Sequence, residues 1–413
     1  MTVRELALEA KAASGKLAIT SAQTRNDALN AMAQAILLAA PAILAANEKD
    51  VAAAEERGVK PSFIDRLTLD QKRIEGMASG LKKVALLPDP IGKSDFVIVR
   101  PNGLRIEKRR VPLGVIGIIY EARPNVTADA VALCVKSGNA CVLRGGSEAI
   151  LSNSAIADCL AAAGEQSGIP KGAVQLLRDS DRAAANEMMK LNGLIDVLIP
   201  RGGAGLIQSV VQQATVPVIE TGVGVCHVYI DESADLSMAA DIIENAKCSR
   251  PSVCNAAETL LVHASVAGDA LPEIAGRLSA RGVELRCDPR AKALMLGATD
   301  AVAGDWSAEY NDLILSVKVV DSFDEAVRHI ETYGTHHSDA IVTSRYDRAE
   351  RFLNEVNSAA VYVNASTRFT DGEEFGFGAE IGISTQKLHA RGPMGLDELT
   401  TVKYAIRGEG QIR

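Results

Sequence analysis

The chain has 413 residues, with 44 Lys and Arg against 52 Asp and Glu and a formal charge of −8. That length predicts two or three domains around a sizeable core, and 47% apolar with 23% charged residues excludes a disordered chain. An acidic chain repels a phosphate backbone, so nucleic acid is not an expected partner, and seven Cys without a CxxC pair point to reduced thiols in a cytoplasmic setting.

Met1–Leu6 has no basic stretch leading into an apolar one, so no signal peptide is expected. Residues 28–46 are uncharged but Ala-rich, carry Asn30 and Gln34, and are interrupted by Pro41. Leu29, Met32, Ile36 and Ile43 recur there at helical spacing, which predicts a packed helix of a soluble protein and no membrane partner. Up to about Leu87 the periodicity is helical. Residues 96–100 and 104–110 flank Pro101-Asn102-Gly103, an Asn-Gly hairpin signal. From Val111 onward strands at 115–120, 140–144, 173–177, 194–199 and 216–220 alternate with helices at 127–137, 148–166, 181–190 and 205–213. The alternation resumes after 228, with strands at 259–263, 284–287, 314–320, 340–343 and 359–364. It implies βαβ units and two α/β lobes with mostly parallel sheets.

The usual signatures fail. No GxGxxG follows the first strand. The clusters Arg144-Gly145-Gly146-Ser147 and Pro200-Arg201-Gly202-Gly203-Ala204-Gly205 lie between strand and helix, where free N–H groups favour phosphate, yet glycine is equally a plain turn residue. Gly92-Lys93-Ser94 looks like the end of a P-loop, but position 87 is Leu. The histidines show no HExxH or zinc-finger spacing, so no metal is expected, and His336-His337 reads as loop surface. No GxSxG is present. Cys254 stands apart from the other cysteines. It sits in Lys247-Cys248-Ser249-Arg250-Pro251-Ser252-Val253-Cys254-Asn255, where nearby cations favour the nucleophilic thiolate.

Several segments together resemble the aldehyde dehydrogenase superfamily: Arg110–Gly117, Ser137–Arg144, Glu220-Thr221-Gly222, and Cys254 at the nucleophile position. Tyr120-Glu121-Ala122-Arg123-Pro124-Asn125-Val126-Thr127, Val253–Thr259 and Glu374–Gly382 are similar to its glutamate-5-semialdehyde dehydrogenase (gamma-glutamyl phosphate reductase) branch, in the expected order along most of the chain. The resemblance implies an aldehyde dehydrogenase-like α/β fold with two Rossmann-like lobes and a small β oligomerisation element. Residues 1–95 and 111–228 would form an NADP-binding domain and 229–363 a catalytic domain. Residues 96–110 and 364–413 would form the hairpin and tail that oligomerise the chain.

The implied reaction is NADPH-dependent reduction of L-glutamyl 5-phosphate, with phosphate release, in proline biosynthesis. Cys254 would form a thioester, and Asn125 with the Cys254 N–H would donate to the oxyanion. Glu220 matches the carboxylate that activates water in hydrolytic relatives. Phosphate replaces water here, so Glu220 either assists proton transfer or simply faces the nicotinamide. Arg144, Ser147 and Glu148 would reach the adenosine ribose, Arg144 suiting an NADP 2′-phosphate, and Gly202 and Gly203 would let backbone approach the cofactor. Lys247 and Arg250 are candidates for the phosphoryl group, and Asn364, Ser366, Thr367 and Arg368 for the amino-acid end. The implied partners are a second copy of the chain and an upstream glutamate 5-kinase. The rival readings are a hydrolytic NAD(P)-dependent aldehyde dehydrogenase and a catalytically silent interaction protein on the same fold.

Overall fold

The computed structural model describes residues 1–121, 123–179 and 181–413, the side chains of residues 61 and 62 apart, so Ala122 of the Tyr120–Thr127 segment lies outside it. The chain forms two compact units: Met1–Thr221 with Gly376–Gly382 and Met394–Arg413, and Gly222–Phe375 with Ile383–Pro393.

The first unit opens with helices α1 (Val3–Leu17), α2 (Ala22–Glu56), α3 (Pro61–Leu67) and α4 (Gln71–Leu86). Thr2 and Glu5 close a capping box on α1, and Ser21 accepts from Thr24 N to start α2. As the spacing of Leu29 to Ile43 predicts, one helix covers this stretch: α2 runs through Pro41 for 35 residues. Helix α2 is long and apolar enough to cross a membrane by length and composition. Its Leu29, Met32, Ile36 and Ile43 are fully buried, and it packs on α4 and on α6 (Ile150–Gln166). That packing outweighs the one backbone bond a proline removes.

Strands β1 (Ser94–Val99) and β2 (Arg105–Pro112) form the expected hairpin, with Gly103 at φ 89° in the turn. The C-terminal strand Thr400–Arg407 pairs with the other edge of β2. Next come β3 (Val115–Tyr120), α5 (Asn125–Lys136), β4 (Ala140–Arg144), β5 (Val174–Leu176), α7 (Arg182–Met188), β6 (Val197–Arg201) and α8 (Ala204–Gln213). The parallel sheet has the order β5-β4-β3-β6, so the order in which the chain adds strands reverses between β3 and β6. Ligands of open α/β sheets bind beyond the carboxyl ends of strands at such a point. The strand expected at 216–220 reduces to a bridge between Leu198 and Val218, because Pro217 has no N–H to give a ladder.

The second unit contains β7 (Cys226–Ile230), α9 (Leu236–Cys248), β8 (Ala257–His263), α10 (Ala264–Ala280), β9 (Glu284–Cys287), α11 (Pro289–Lys292), β10 (Thr299–Asp300), β11 (Ile314–Val320), α12 (Phe323–Tyr333), β12 (Ser338–Val342), α13 (Tyr346–Glu355) and β13 (Ala360–Val363). All seven strands are parallel, in the order β10-β9-β11-β8-β7-β12-β13. The expected boundary after 228 therefore moves to Thr221/Gly222, since β7 pairs with β8 and β12. The hairpin and the tail strand Thr400–Arg407 form a three-stranded sheet of their own, which belongs to the first unit, while the rest of the tail is divided between both units. His337 is fully buried rather than on a loop surface, with its Nδ1 near Ser338 Oγ at 2.8 Å, and burial pushes the imidazole down to about 4.

Candidate active site

The loop carrying Cys254 joins α9 to β8 in the second unit. Lys247 and Glu258 close its two ends through an ion pair of 2.5 Å, with the side chains 0% and 1% exposed. Burial pushes the Glu258 carboxyl up to about 7, against the pull of Lys247. Lys247 is thereby corrected from phosphoryl ligand to structural staple, because a sealed, paired ammonium has no face left for an anion.

Cys254 is half-buried. Its carbonyl accepts from the Cys226 thiol at 3.2 Å, and a Cβ at Gly224 would stand 1.4 Å from the same oxygen. Only glycine lets the lead-in to β7 pass beside the nucleophile. The next residue, Asn255, is buried and ties the loop to the turn after β13. Its Nδ2 donates to Thr370 O at 2.9 Å, its Oδ1 accepts from the Arg368 guanidinium, and its carbonyl accepts from Thr367 Oγ1 at 2.7 Å. Gly224 and Asn255 were missed in the sequence because neither type signals chemistry on its own.

The same turn sorts the residues expected at the amino-acid end. Asn364 is exposed, but its amide donates to Thr343 O at 3.0 Å and accepts from Thr343 N at 2.9 Å, clipping the ends of β12 and β13. Ser366 is buried and accepts from Arg368 N, and Thr367 is buried with its hydroxyl committed. These bonds tie all three residues into the scaffold around the nucleophile loop. Arg368 remains half-buried, its Nε donating to Ser249 Oγ at 3.1 Å. Burial and the neighbouring Arg250 charge hold it below the usual arginine range, while the Cys254 side acts the other way. Arg250 itself is exposed. Two guanidinium groups that raise each other's energy, in the field of the nucleophile, make a place where an anion is stabilised.

In the first unit α5 begins at Asn125, close after β3. Buried Thr127 shares hydrogen bonds with Tyr120 (2.7 Å) and Asn153 (3.1 Å), fixing the helix's first turn to β3 and α6. The Asn125 amide donates to Asp129 Oδ2 at 3.1 Å. Glu220 is half-buried, between Ile219, whose N–H donates to Leu198 O at 2.9 Å, and Thr221, whose hydroxyl donates to Pro200 O at 2.6 Å.

A cavity of about 870 Å³ opens in this unit, lined by Arg144, Ser147 and Glu148 as expected, and also by Arg57, Phe63 and Arg182. Arg57 follows the last turn of α2 and Arg182 begins α7, and both are exposed. Gly202 and Gly203 lie beside Glu121: a Cβ at Gly202 would meet its carboxylate at 2.4 Å, and Gly203 N donates to that carboxylate at 3.0 Å. The cavity glycines are Gly146 and Gly205. Its volume suits a drug- to dinucleotide-sized ligand, and three guanidinium groups against Glu121 and Glu148 favour an anionic one. Among the described residues no group of three or more His, Cys, Asp or Glu is placed to hold a metal ion.

The model of the Aldehyde dehydrogenase family matches residues 1–299, which sets the class: an aldehyde dehydrogenase-type oxidoreductase. The chain is 60% identical over 413 residues to a gamma-glutamyl phosphate reductase from Caldanaerobacter subterraneus subsp. tengcongensis, covering 100% of both. The crystal structure of a gamma-glutamyl phosphate reductase from Thermotoga maritima superposes with a TM-score of 0.97 at 48% identity, covering 100% of both chains. Within its class the chain therefore belongs to the gamma-glutamyl phosphate reductase family. An acetylating aldehyde dehydrogenase from Geobacillus thermoglucosidasius, 20% identical with a TM-score of 0.72 over 100% of this chain and 97% of the other, shares the fold.

Proposed function

We propose that the chain reduces L-glutamyl 5-phosphate to L-glutamate 5-semialdehyde, with NADPH and with release of phosphate, in proline biosynthesis in the cytoplasm. The observation that carries this reading is the Cys254 loop, where Arg250 and Arg368 supply positive charge to a phosphorylated acyl group. The Cys254 thiolate attacks the acyl carbon; the C–S bond forms, the C–O bond to phosphorus breaks, and phosphate leaves. Arg250 and Arg368 hold the anionic leaving group. Asn125 and the Cys254 N–H donate to the oxyanion of each tetrahedral species, a contribution of about 10²–10³ in rate per donor in comparable sites. Arg144 and the cavity lining would hold a nicotinamide cofactor, which when bound would supply the hydride that takes the thioester to the aldehyde level. Collapse of the Cys254 hemithioacetal then returns the thiolate and frees the semialdehyde. Glu220 is left to proton transfer or to nicotinamide contact. The test runs the reaction backwards: glutamate 5-semialdehyde oxidation is expected to require phosphate. Oxidation at full rate without phosphate overturns this reading in favour of the hydrolytic alternative.

The cofactor's 2′-phosphate is assigned to the cationic lining of the cavity, with Arg57 and Arg182 joining Arg144. Charge reversal at both, R57E/R182E, is expected to lower kcat/KM for NADPH by about 10-fold or more while the value with NADH changes by less than about 3-fold. Equal changes with both cofactors would refute the assignment. A homo-oligomer is proposed through the three-stranded sheet of β1, β2 and Thr400–Arg407, whose Phe96, Val97, Ile98, Val99, Tyr404 and Ile406 are exposed large apolar residues. An acyl phosphate hydrolyses in water, so a glutamate 5-kinase that delivers it is the expected functional neighbour.

A further inference from the structure

The hydrogen bond between Asn125 and Asp129 has no part in the mechanism above. Its geometry is specific: Asn125 Nδ2 lies 3.1 Å from Asp129 Oδ2, one turn along α5. Asp129 is only half-buried, yet the helix α4 against which α5 packs meets it with Gly80, whose Cβ would lie 3.8 Å from Oδ1. The charge that acts on it from the packed elements is Arg201, at the end of β6.

A primary amide has an oxygen end and an N–H₂ end of nearly the same shape, and only its neighbours decide which end faces where. An ionised carboxylate accepts and cannot donate, so it takes the N–H₂ end alone. One N–H is then held and the second remains for another acceptor.

We propose that Asp129 is the positioning residue for Asn125, its carboxylate fixing the amide so that an N–H, and never the carbonyl oxygen, is presented to the oxyanion. This rests on the oxyanion role given to Asn125 above. A protonated Asp129 both donates and accepts, and loses this discrimination. Burial pushes its carboxyl up to about 6, with the Asn125 bond and Arg201 opposing, so the amide is fixed above that pH and released below it.

The experiment compares N125A, D129A, D129N, D129E and the double variant N125A/D129A in the full-length enzyme, with thermal melts to confirm folding. D129A and D129N are expected to lower kcat by about 10-fold with KM changed less than about 3-fold, the split that marks loss of transition-state positioning. The wild type is expected to lose kcat below about pH 6, and this acid limb should vanish in D129N and persist in D129E. The double variant should be no slower than N125A. Unchanged kcat in D129A and D129N beside a large loss in N125A overturns the inference and leaves the Asn125 role standing. Full activity in N125A overturns both. Additive losses in the double variant also overturn it, because they place the two side chains in separate roles.

Discussion

Cys254→Ala is expected to lower reductive turnover by at least about 10³-fold while leaving the folded state intact, as removal of a covalent nucleophile does elsewhere. The residue is half-buried on a loop, so the methyl that replaces the thiol leaves little cavity. The loop's shape is held by backbone and neighbours: the Cys226 thiol on the Cys254 carbonyl, Asn255 on Thr370, and the Lys247–Glu258 staple. None of these uses the Cys254 sulfur. Cys254→Ser should be nearly as inactive, because a hydroxyl is ionised far less readily than a thiol near neutral pH. Cys226 cannot take over the chemistry; it is fully buried, and burial and nearby acidic groups push its thiol well above the ordinary range. Burial likewise raises the thiols of Cys159, Cys248 and Cys287, the last to about 12. Single-turnover measurements provide the check: wild type should release phosphate in a burst before aldehyde appears, and both variants should show none. Full turnover in both variants would rule out the thioester.

The alternation of strand and helix is legible because parallel strands buried on both faces read as unbroken apolar runs, as in β3 and β4. The Asn102-Gly103 turn is legible for a similarly local reason, the positive φ of Gly103. What escapes the sequence is long-range pairing. The apolar spacing of α2 is local and legible, but its packing on α4 and α6, which carries the helix through Pro41, is not. The unit boundary depends on which sheet β7 joins, a hydrogen-bonding choice invisible in its own residues. The candidate site divides in the same way. Cys254 announces itself by its polar, cationic loop, and Arg144 by its place at the end of β4. Lys247 looks identical to Arg250 in that loop, until the fold brings Glu258 against it. Arg57 and Arg182 lie on helices far from Arg144 in the chain and join it only through the cavity wall. Asn364, Ser366 and Thr367 have the right chemistry for a substrate, and the fold also gives each a backbone partner that their sequence does not announce.

Lys247→Met should be the most damaging single change to stability, costing about 3–5 kcal/mol, because it strips the partner from a buried charge. Both side chains are sealed from water, with the Lys247 ammonium 2.5 Å from Glu258 and 5.9 Å from the centre of the Tyr310 ring. Methionine fills the stem's volume, so the loss is electrostatic rather than a packing void. Adding Glu258→Gln to this variant is expected to recover about 1 kcal/mol or more, since a neutral pair needs no counter-charge and glutamine can still accept from Asn311 N. The pH dependence has a definite sign. The folded-state Glu258 carboxyl titrates at about 7, above its ordinary value of 4.5, so its contribution to stability is fully present below that ordinary value and is lost as pH rises through about 7. In Lys247→Met only the Asn311 N–H still opposes burial, and the folded-state value moves higher still. The variant should therefore be relatively better off in acid than at alkaline pH, and the double variant should lose this slope. Urea melts across that range measure all three quantities. A Lys247→Met protein within about 1 kcal/mol of wild type at every pH would mean that the staple contributes nothing beyond an exposed pair, and the nucleophile loop would then have to be held by Asn255 and the Cys226 thiol.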